Sequence, residues 1–169
     1  MAKATAHWQV ANYREAYNLF ACTGILFNHE SPLRPERFVT RKIISSACRI
    51  ARGRPEKLQL GNIAIARDWG LASEYVDAMW RMLQREIPED YVIATGETNT
   101  LECFVVETFT HLGLDWKAHV STNPSFLRPS EIMISRGNPE KARRELGWQA
   151  AYRMKDVIHK MIAAQQELP

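Results

Sequence analysis

Cysteine is scarce in this 169-residue chain: Cys22, Cys48 and Cys103 are odd in number and far apart. Such spacing makes neither a disulfide framework nor a zinc pattern, and it fits a reducing, cytoplasmic setting. The five histidines (His7, His29, His111, His119 and His159) also lack metal-ligand spacing, so no metal site is expected. Long apolar runs are missing; none approaches the roughly 20 residues that a membrane span needs. The first ten residues, MAKATAHWQV, hold one lysine but no apolar stretch of the secretory kind. Charge of one sign is lacking too, with 22 Lys and Arg against 19 Asp and Glu, a net charge of +3. That balance suits a small anionic ligand and falls short of the basic clustering of a nucleic-acid binder.

Glycine is spread thin. The eight glycines stand at 24, 53, 61, 70, 96, 113, 137 and 147, no two closer than eight residues. A dinucleotide fingerprint needs three glycines within about six residues, so that backbone amides can approach a pyrophosphate. This chain has no such loop and no Walker A sequence.

What is present is an alternation of helix and strand patterns. Residues 2–18 read as a helix, with Trp8, Ala11, Ala16 and Leu19 near one stripe. Residues 21–27 form a nearly continuous apolar run, expected to be a parallel strand buried on both faces. Thr40 is a candidate cap for a helix carrying Ile43, Ile44, Ala47, Ile50 and Ala51, with Gly53 as its stop. A short strand is expected over 57–60. Ser73 is the expected cap of a helix whose Val76, Met79, Trp80 and Leu83 share a face, ended by Pro88. Stripes such as Met79, Trp80 and Met82 read most simply as core. A strand over 91–95 follows.

Asn99 with Glu102 suggests a capping box before a helix with Leu101, Phe104, Val105, Phe109 and Leu112. Residues 116–120 read as a strand. Asn138-Pro139 opens a helix that Gly147 closes, with Pro139 at its first position. A last helix over 154–167 carries Met154, Val157, Ile158, Met161 and Ile162. The alternation implies an α/β chain with a partly parallel sheet.

Polar clusters stand at the ends of these elements. Asn28-His29-Glu30-Ser31-Pro32 follows the apolar strand, where α/β sheets place ligands; the same residue types also build ordinary turns. Arg67-Asp68-Trp69-Gly70 is read as joining a strand to a helix, with Arg67 able to bind a phosphate or to pair with Asp68. Arg128-Pro129-Ser130-Glu131 lies in an otherwise structureless stretch, 121–137, of the length that functional loops favour. Arg41 and Lys42 fall in the first turn of a helix, where cations oppose the dipole; a bound anion, or simple solvation, would account for them.

The segments NYREAYNLFACTGILFNHESP, FVTRKI, RDWG, PEDYVIATGET, RPSE and NPEKARRELGW resemble the GDP-mannose 4,6-dehydratase family over residues 2–162. These enzymes are extended short-chain dehydrogenase/reductases. The resemblance implies the C-terminal part of a Rossmann-type fold plus the smaller substrate-binding domain. Residues 1–30 and parts of 70–96 would be the remnant of the NADP-binding sheet and helices; 31–70 and 97–169 would mainly bind the sugar nucleotide. The implied reaction converts GDP-mannose to GDP-4-keto-6-deoxymannose and water. Hydride leaves C4 for NADP, water is lost across C5–C6, and the hydride returns to C6.

By resemblance Lys3 ends the Tyr-x-x-x-Lys motif, bonds the nicotinamide ribose and lowers the pKa of the catalytic tyrosine. His29 and Arg34 match NADP contacts. Asn28, Lys42, Arg67, Arg128 and Glu131 match GDP-mannose contacts, the cations suiting the diphosphate and Glu131 a sugar hydroxyl. The tyrosine would lie four residues before Lys3, ahead of Met1, and LRPER at 33–37 departs from the family's Arg-Arg-Gly-Glu run at Leu33 and Pro35. The expectation is a truncated dehydratase, inactive alone, that forms homo-oligomers or docks on an intact relative. A related 4-keto-sugar reductase and a non-catalytic binding or assembly fragment are the alternatives.

Overall fold

The computed structural model describes residues 1–167. Residues 168 and 169, which the sugar-nucleotide unit was expected to include, lie outside the described residues. The chain opens with helix α1 (Ala2–Tyr17), then strands β1 (Gly24–Leu26) and β2 (Asn28–Glu30) and helix α2 (Val39–Ala51). Strands β3 (Leu58–Leu60) and β4 (Ala66–Leu71) precede helix α3 (Ala72–Met82), strand β5 (Tyr91–Ile93) and strand β6 (Thr98–Thr100). Helix α4 (Leu101–His111), the one-turn helix α5 (Trp116–His119) and strand β7 (Val120–Thr122) follow. A 3₁₀ turn (Pro124–Phe126), helix α6 (Glu140–Leu146) and helix α7 (Met154–Gln166) complete the order. No helix among these residues is long and apolar enough to cross a membrane.

Pairing is mostly parallel, as the alternation of elements requires. β1 pairs with β5, β2 with β4, and β3 with β7, all parallel; β4 also pairs antiparallel with β6. Two apolar clusters hold the elements. In the larger, Ile43, Ile44 and Ala47 of α2 meet Phe104, Val105 and Phe109 of α4 and Val157, Ile158, Met161 and Ile162 of α7. These are the three-to-four-residue stripes read from the sequence, and all five apolar residues named for the last helix are buried. In the smaller, Tyr75, Ala78 and Met82 of α3 meet Tyr91 and Ile93 of β5 and Trp148. Asp68 reaches from β4 to the loop after β5, accepting hydrogen bonds from the amides of Thr95 and Gly96, each at 2.8 Å. Burial pushes its carboxyl pKa up, and those two amides draw it back.

Several expectations are corrected. α1 forms as read but buries none of its residues; Trp8 is 70% exposed. The apolar run 21–27 is not covered on both faces: only Gly24–Leu26 of it is strand, β1, Ile25 is exposed, and β1 has only β5 beside it among the described residues. On α3 the face of Val76, Met79, Trp80 and Leu83 points outward, Trp80 being 61% exposed, while Met82 joins the core with Tyr75 and Ala78. Both faces of this helix carry apolar residues, so periodicity alone does not choose between them.

Helix starts also move. α3 begins at Ala72 after Leu71, not from a Ser73 cap, because β4 runs directly into it. Thr100, not Asn99, caps α4, accepting from the Cys103 amide, since Asn99 is engaged opposite Arg67 in β6. Phe38 rather than Thr40 precedes α2, and the Thr40 hydroxyl is used elsewhere. Pro139 precedes α6 rather than opening it. The strand expected over 116–120 is instead α5, because the Asp115 carboxylate accepts from the Lys117 amide and closes a helical turn. The stretch 121–137 is not structureless: β7 and the 3₁₀ turn occupy its start, and Ile134 bridges to Ala66.

Candidate functional site

Parallel pairing of β2 with β4 brings two loop systems to one place. β2 leads into the turn 31–38 and the start of α2, while the chain after β3 and the segment after β7 close from the other side. Between them lies a cavity of about 480 Å³. Arg34, Arg37, Lys42, Arg67 and Arg128 line it, against two carboxyls, Glu30 and Glu131. Asn28, Gln59, Asn62 and Thr40 add amides and a hydroxyl, and Phe38, Trp69 and Phe126 supply aromatic surface. Five cations around one concave, partly apolar space favour a polyanion that carries an uncharged body.

Local structure fixes each group. The motif RDWG is not a joining loop but the body of β4, so its side chains alternate. Arg67 and Trp69 line the cavity; Asp68 and Gly70 face away, toward the 95–96 loop and the Tyr75 ring. A Cβ on Gly70 would lie 2.5 Å from that ring. Arg67 donates to the Ala66 carbonyl at 2.8 Å and pairs with Glu131 at 3.4 Å, not with Asp68. Lys42 donates to the Gln59 carbonyl at 2.7 Å, with its ammonium 5.0 Å from the centre of the Phe126 ring. Arg41, its neighbour, turns inward, is 7% exposed and has one guanidinium nitrogen without a partner. At Gly61 a Cβ would meet the Phe126 carbonyl oxygen at 2.7 Å, so glycine lets the 3₁₀ turn close over the cavity.

The structure thus brings Asn28, Arg34, Lys42, Arg67, Arg128 and Glu131 to one cavity. His29 and Lys3 are not part of its lining. The His29 ring lies 5.2 Å from that of Tyr75, with Nδ1 2.8 Å from the Phe27 carbonyl. Lys3 is exposed in the first turn of α1. Of the three residues matched to NADP, Lys3 is on an open helix, His29 lies beside the Tyr75 ring, and Arg34 stands in the cationic cavity. No three His, Cys, Asp or Glu side chains gather to hold a metal ion among the described residues.

Sequence reasoning missed Glu30, Arg37, Thr40, Gln59 and Phe126. Glu30 and Thr40 stood inside quoted motifs, and Glu30 in a run of polar residues at a strand end was itself a signal. Glu30 is 1% exposed. Its Oε2 accepts from the Thr40 hydroxyl at 2.7 Å and lies 3.0 Å from Nε of Arg34. Burial pushes its pKa from an ordinary 4.5 to about 6, against the pull of Thr40 and Arg34.

Comparison with known proteins sets this geometry in context. A family model described as GDP-mannose 4,6 dehydratase matches residues 1–161. GDP-mannose 4,6 dehydratase 1 of Arabidopsis thaliana is 48% identical over 99% of this chain and 46% of its own length. The GDP-mannose 4,6 dehydratase of Homo sapiens is 44% identical over 99% of this chain and 50% of its own length. The chain thus spans about half the length of the curated relatives it matches. Among solved structures, dTDP-glucose 4,6-dehydratase from Bacillus anthracis in complex with NAD superposes with a TM-score of 0.86 at 20% identity, over 98% of this chain and 51% of that one. UDP-glucose 4-epimerase from Thermotoga maritima with UDP-glucose gives 0.83 at 18%, over 98% and 52%. At these identities the two structures establish the fold alone, which this chain shares with about half of each.

Proposed function

The chain belongs to the GDP-mannose 4,6-dehydratase family, and from that premise we propose that its cationic cavity is the sugar-nucleotide site of such an enzyme, with GDP-mannose as ligand. The observation that carries this reading is the convergence of Arg34, Arg37, Lys42, Arg67 and Arg128 on one 480 Å³ cavity. The diphosphate would lie against Arg67 and Arg128, which offer planar forks to its oxygens, and Lys42 would act as a point charge. Glu131, held by Arg67, and the Asn28 amide would meet hydroxyls of the sugar. The chain is read as a sugar-nucleotide side, over 31–70 and 97–169, and a smaller remnant of the cofactor side, over 1–30 and parts of 70–96; the larger cluster lies within the first apart from Leu71, while Ala142, Leu146, Trp148 and Ala150 pack across the division on α3 and β5.

NADP is the cofactor that this reading assigns to the complete enzyme, with Lys3, His29 and Arg34 among its contacts. The work of this chain is to bind, orient and neutralise the diphosphate. The widely spaced cysteines support a cytoplasmic setting. The exposed apolar faces of α1 and α3 favour a narrower second reading, binding without turnover in an assembly with a chain that carries the glycine-rich loop.

Calorimetric titration of GDP-mannose into the purified chain tests the site. Saturable binding is expected, weakened about 10- to 100-fold by Arg67→Ala, the loss of one charge-assisted contact. Equal affinity in the two proteins would reject the cavity as the site.

A further inference from the structure

Of the cations that line the cavity, Arg34 and Arg67 face carboxylates. Nε of Arg34 lies 3.0 Å from Glu30, and Arg67 pairs with Glu131 at 3.4 Å. Among the described residues, Arg37, Lys42 and Arg128 have no acidic side chain within ion-pair distance. Lys42 donates to a neutral group, the Gln59 carbonyl. Glu36, the acidic neighbour of Arg37 in sequence, pairs instead with Arg49 of α2 at 3.3 Å. Arg37 itself is exposed at the rim, with its guanidinium carbon 5.1 Å from the centre of the Phe38 ring. That ring also carries Arg34, at 4.1 Å, and so holds both guanidinium groups at one wall.

The charge of the lining then bears on what the space prefers. Each of the two ion pairs is neutral as a unit. Lys42 and Arg128 match the two negative charges of a diphosphate esterified at both ends, as in a sugar nucleotide. Arg37 is in surplus, and the resemblance matches it to neither ligand. A nucleoside diphosphate without its sugar ends in a phosphate monoester, whose second pKa of about 6 gives it a third negative charge at neutral pH. Its diphosphate is otherwise the same.

On the reading that the cavity takes a sugar nucleotide, we propose that Arg37 is a specificity-determining residue that reads this third charge, so that a free nucleoside diphosphate such as GDP competes with GDP-mannose for the cavity. Arg34 stays with Glu30 throughout, and its match to the cofactor is untouched. An exposed cation acts through solvent, so its effect is modest and falls with salt. It discriminates by the charge of the ligand and leaves the sugar contacts of Asn28 and Glu131 as they are.

The experiment is calorimetric titration of GDP and of GDP-mannose into the full chain, as wild type, Arg37→Gln and Arg37→Lys, at low and at raised salt. The ratio of the two affinities is expected to shift against GDP by about 3- to 10-fold in Arg37→Gln and to stay within about twofold of wild type in Arg37→Lys. Added salt is expected to weaken GDP more steeply than GDP-mannose in wild type, with a smaller difference in Arg37→Gln. The wild-type salt series stands as a test by itself if a variant does not fold, and equal slopes overturn the proposal. A ratio unchanged in Arg37→Gln overturns it as well, whether both ligands weaken together or neither does, and leaves the cavity assignment intact. Binding of GDP-mannose without GDP has the same meaning. NADP titrated into the same proteins separates the other source of a phosphate: if Arg37→Gln weakens NADP alone, the cation serves the cofactor and the proposal falls. No binding of GDP-mannose by any of the proteins removes both the proposal and the reading beneath it.

Discussion

At the scale of single residues, the cavity depends on small clearances and on one ill-matched carboxyl. Gly61→Ala places a Cβ 2.7 Å from the Phe126 carbonyl, a backbone atom that can move only with its turn. We expect a loss of about 1–3 kcal/mol in chemical unfolding and weaker GDP-mannose binding, because Phe126 and Arg128 leave the cavity together. Unchanged binding would show that the turn is not part of the site. Glu30 makes a pH prediction with a definite sign. Its folded pKa, about 6, stands above the ordinary 4.5, so its contribution to stability is full below 4.5 and is lost as pH rises through 6. Glu30→Gln should therefore gain on wild type by about 1–2 kcal/mol between pH 4.5 and pH 8, read from paired thermal melts. A constant difference would contradict the assignment.

At the scale of elements, α1 is attached by charge rather than by packing. Arg14 forms a two-point contact with Asp90, at 2.8 and 3.1 Å, and Asp90 also accepts from the Thr23 amide at 2.7 Å. The hydrogen bond from Arg14 holds the Asp90 carboxyl below its usual range. That contribution is present above the ordinary value near 3.8 and is lost as pH falls through the depressed one. Asp90→Ala should speed hydrogen exchange of α1 amides at least several-fold while α2, α4 and α7 keep their protection. Uniform exchange across all four helices would refute the separate attachment.

Much at this scale was legible from sequence. The stripes of α2, α4 and α7 are one-sided, and the glycine stops at 53, 113 and 147 all take positive φ. The faces of α1 and α3 were not legible, because their apolar residues lie on more than one side. The strand order was not either, since it joins β2 to β4 across 35 intervening residues, a pairing no local pattern encodes. The six cavity residues came from motif resemblance. Glu30 escaped because its meaning is burial, which a polar letter at a strand end conceals.

At the scale of the whole molecule, the outward faces of α1 and α3 and the turn after α3 leave Trp8, Tyr17, Val76, Trp80, Leu83 and Ile87 uncovered. Exposed apolar side chains in such number favour association. Sedimentation at rising concentration should show the purified chain self-associating in the micromolar range, and Trp80→Lys with Val76→Glu should shift it toward monomer. A clean monomer throughout would mean that these side chains find cover within the chain. A different reach belongs to β4. Four consecutive residues, Arg67 to Gly70, serve the cavity, the 95–96 loop, the larger core and the Tyr75 ring in turn. A single inserted or deleted codon there would exchange all four addresses at once, so this strand should be among the least forgiving stretches of the gene.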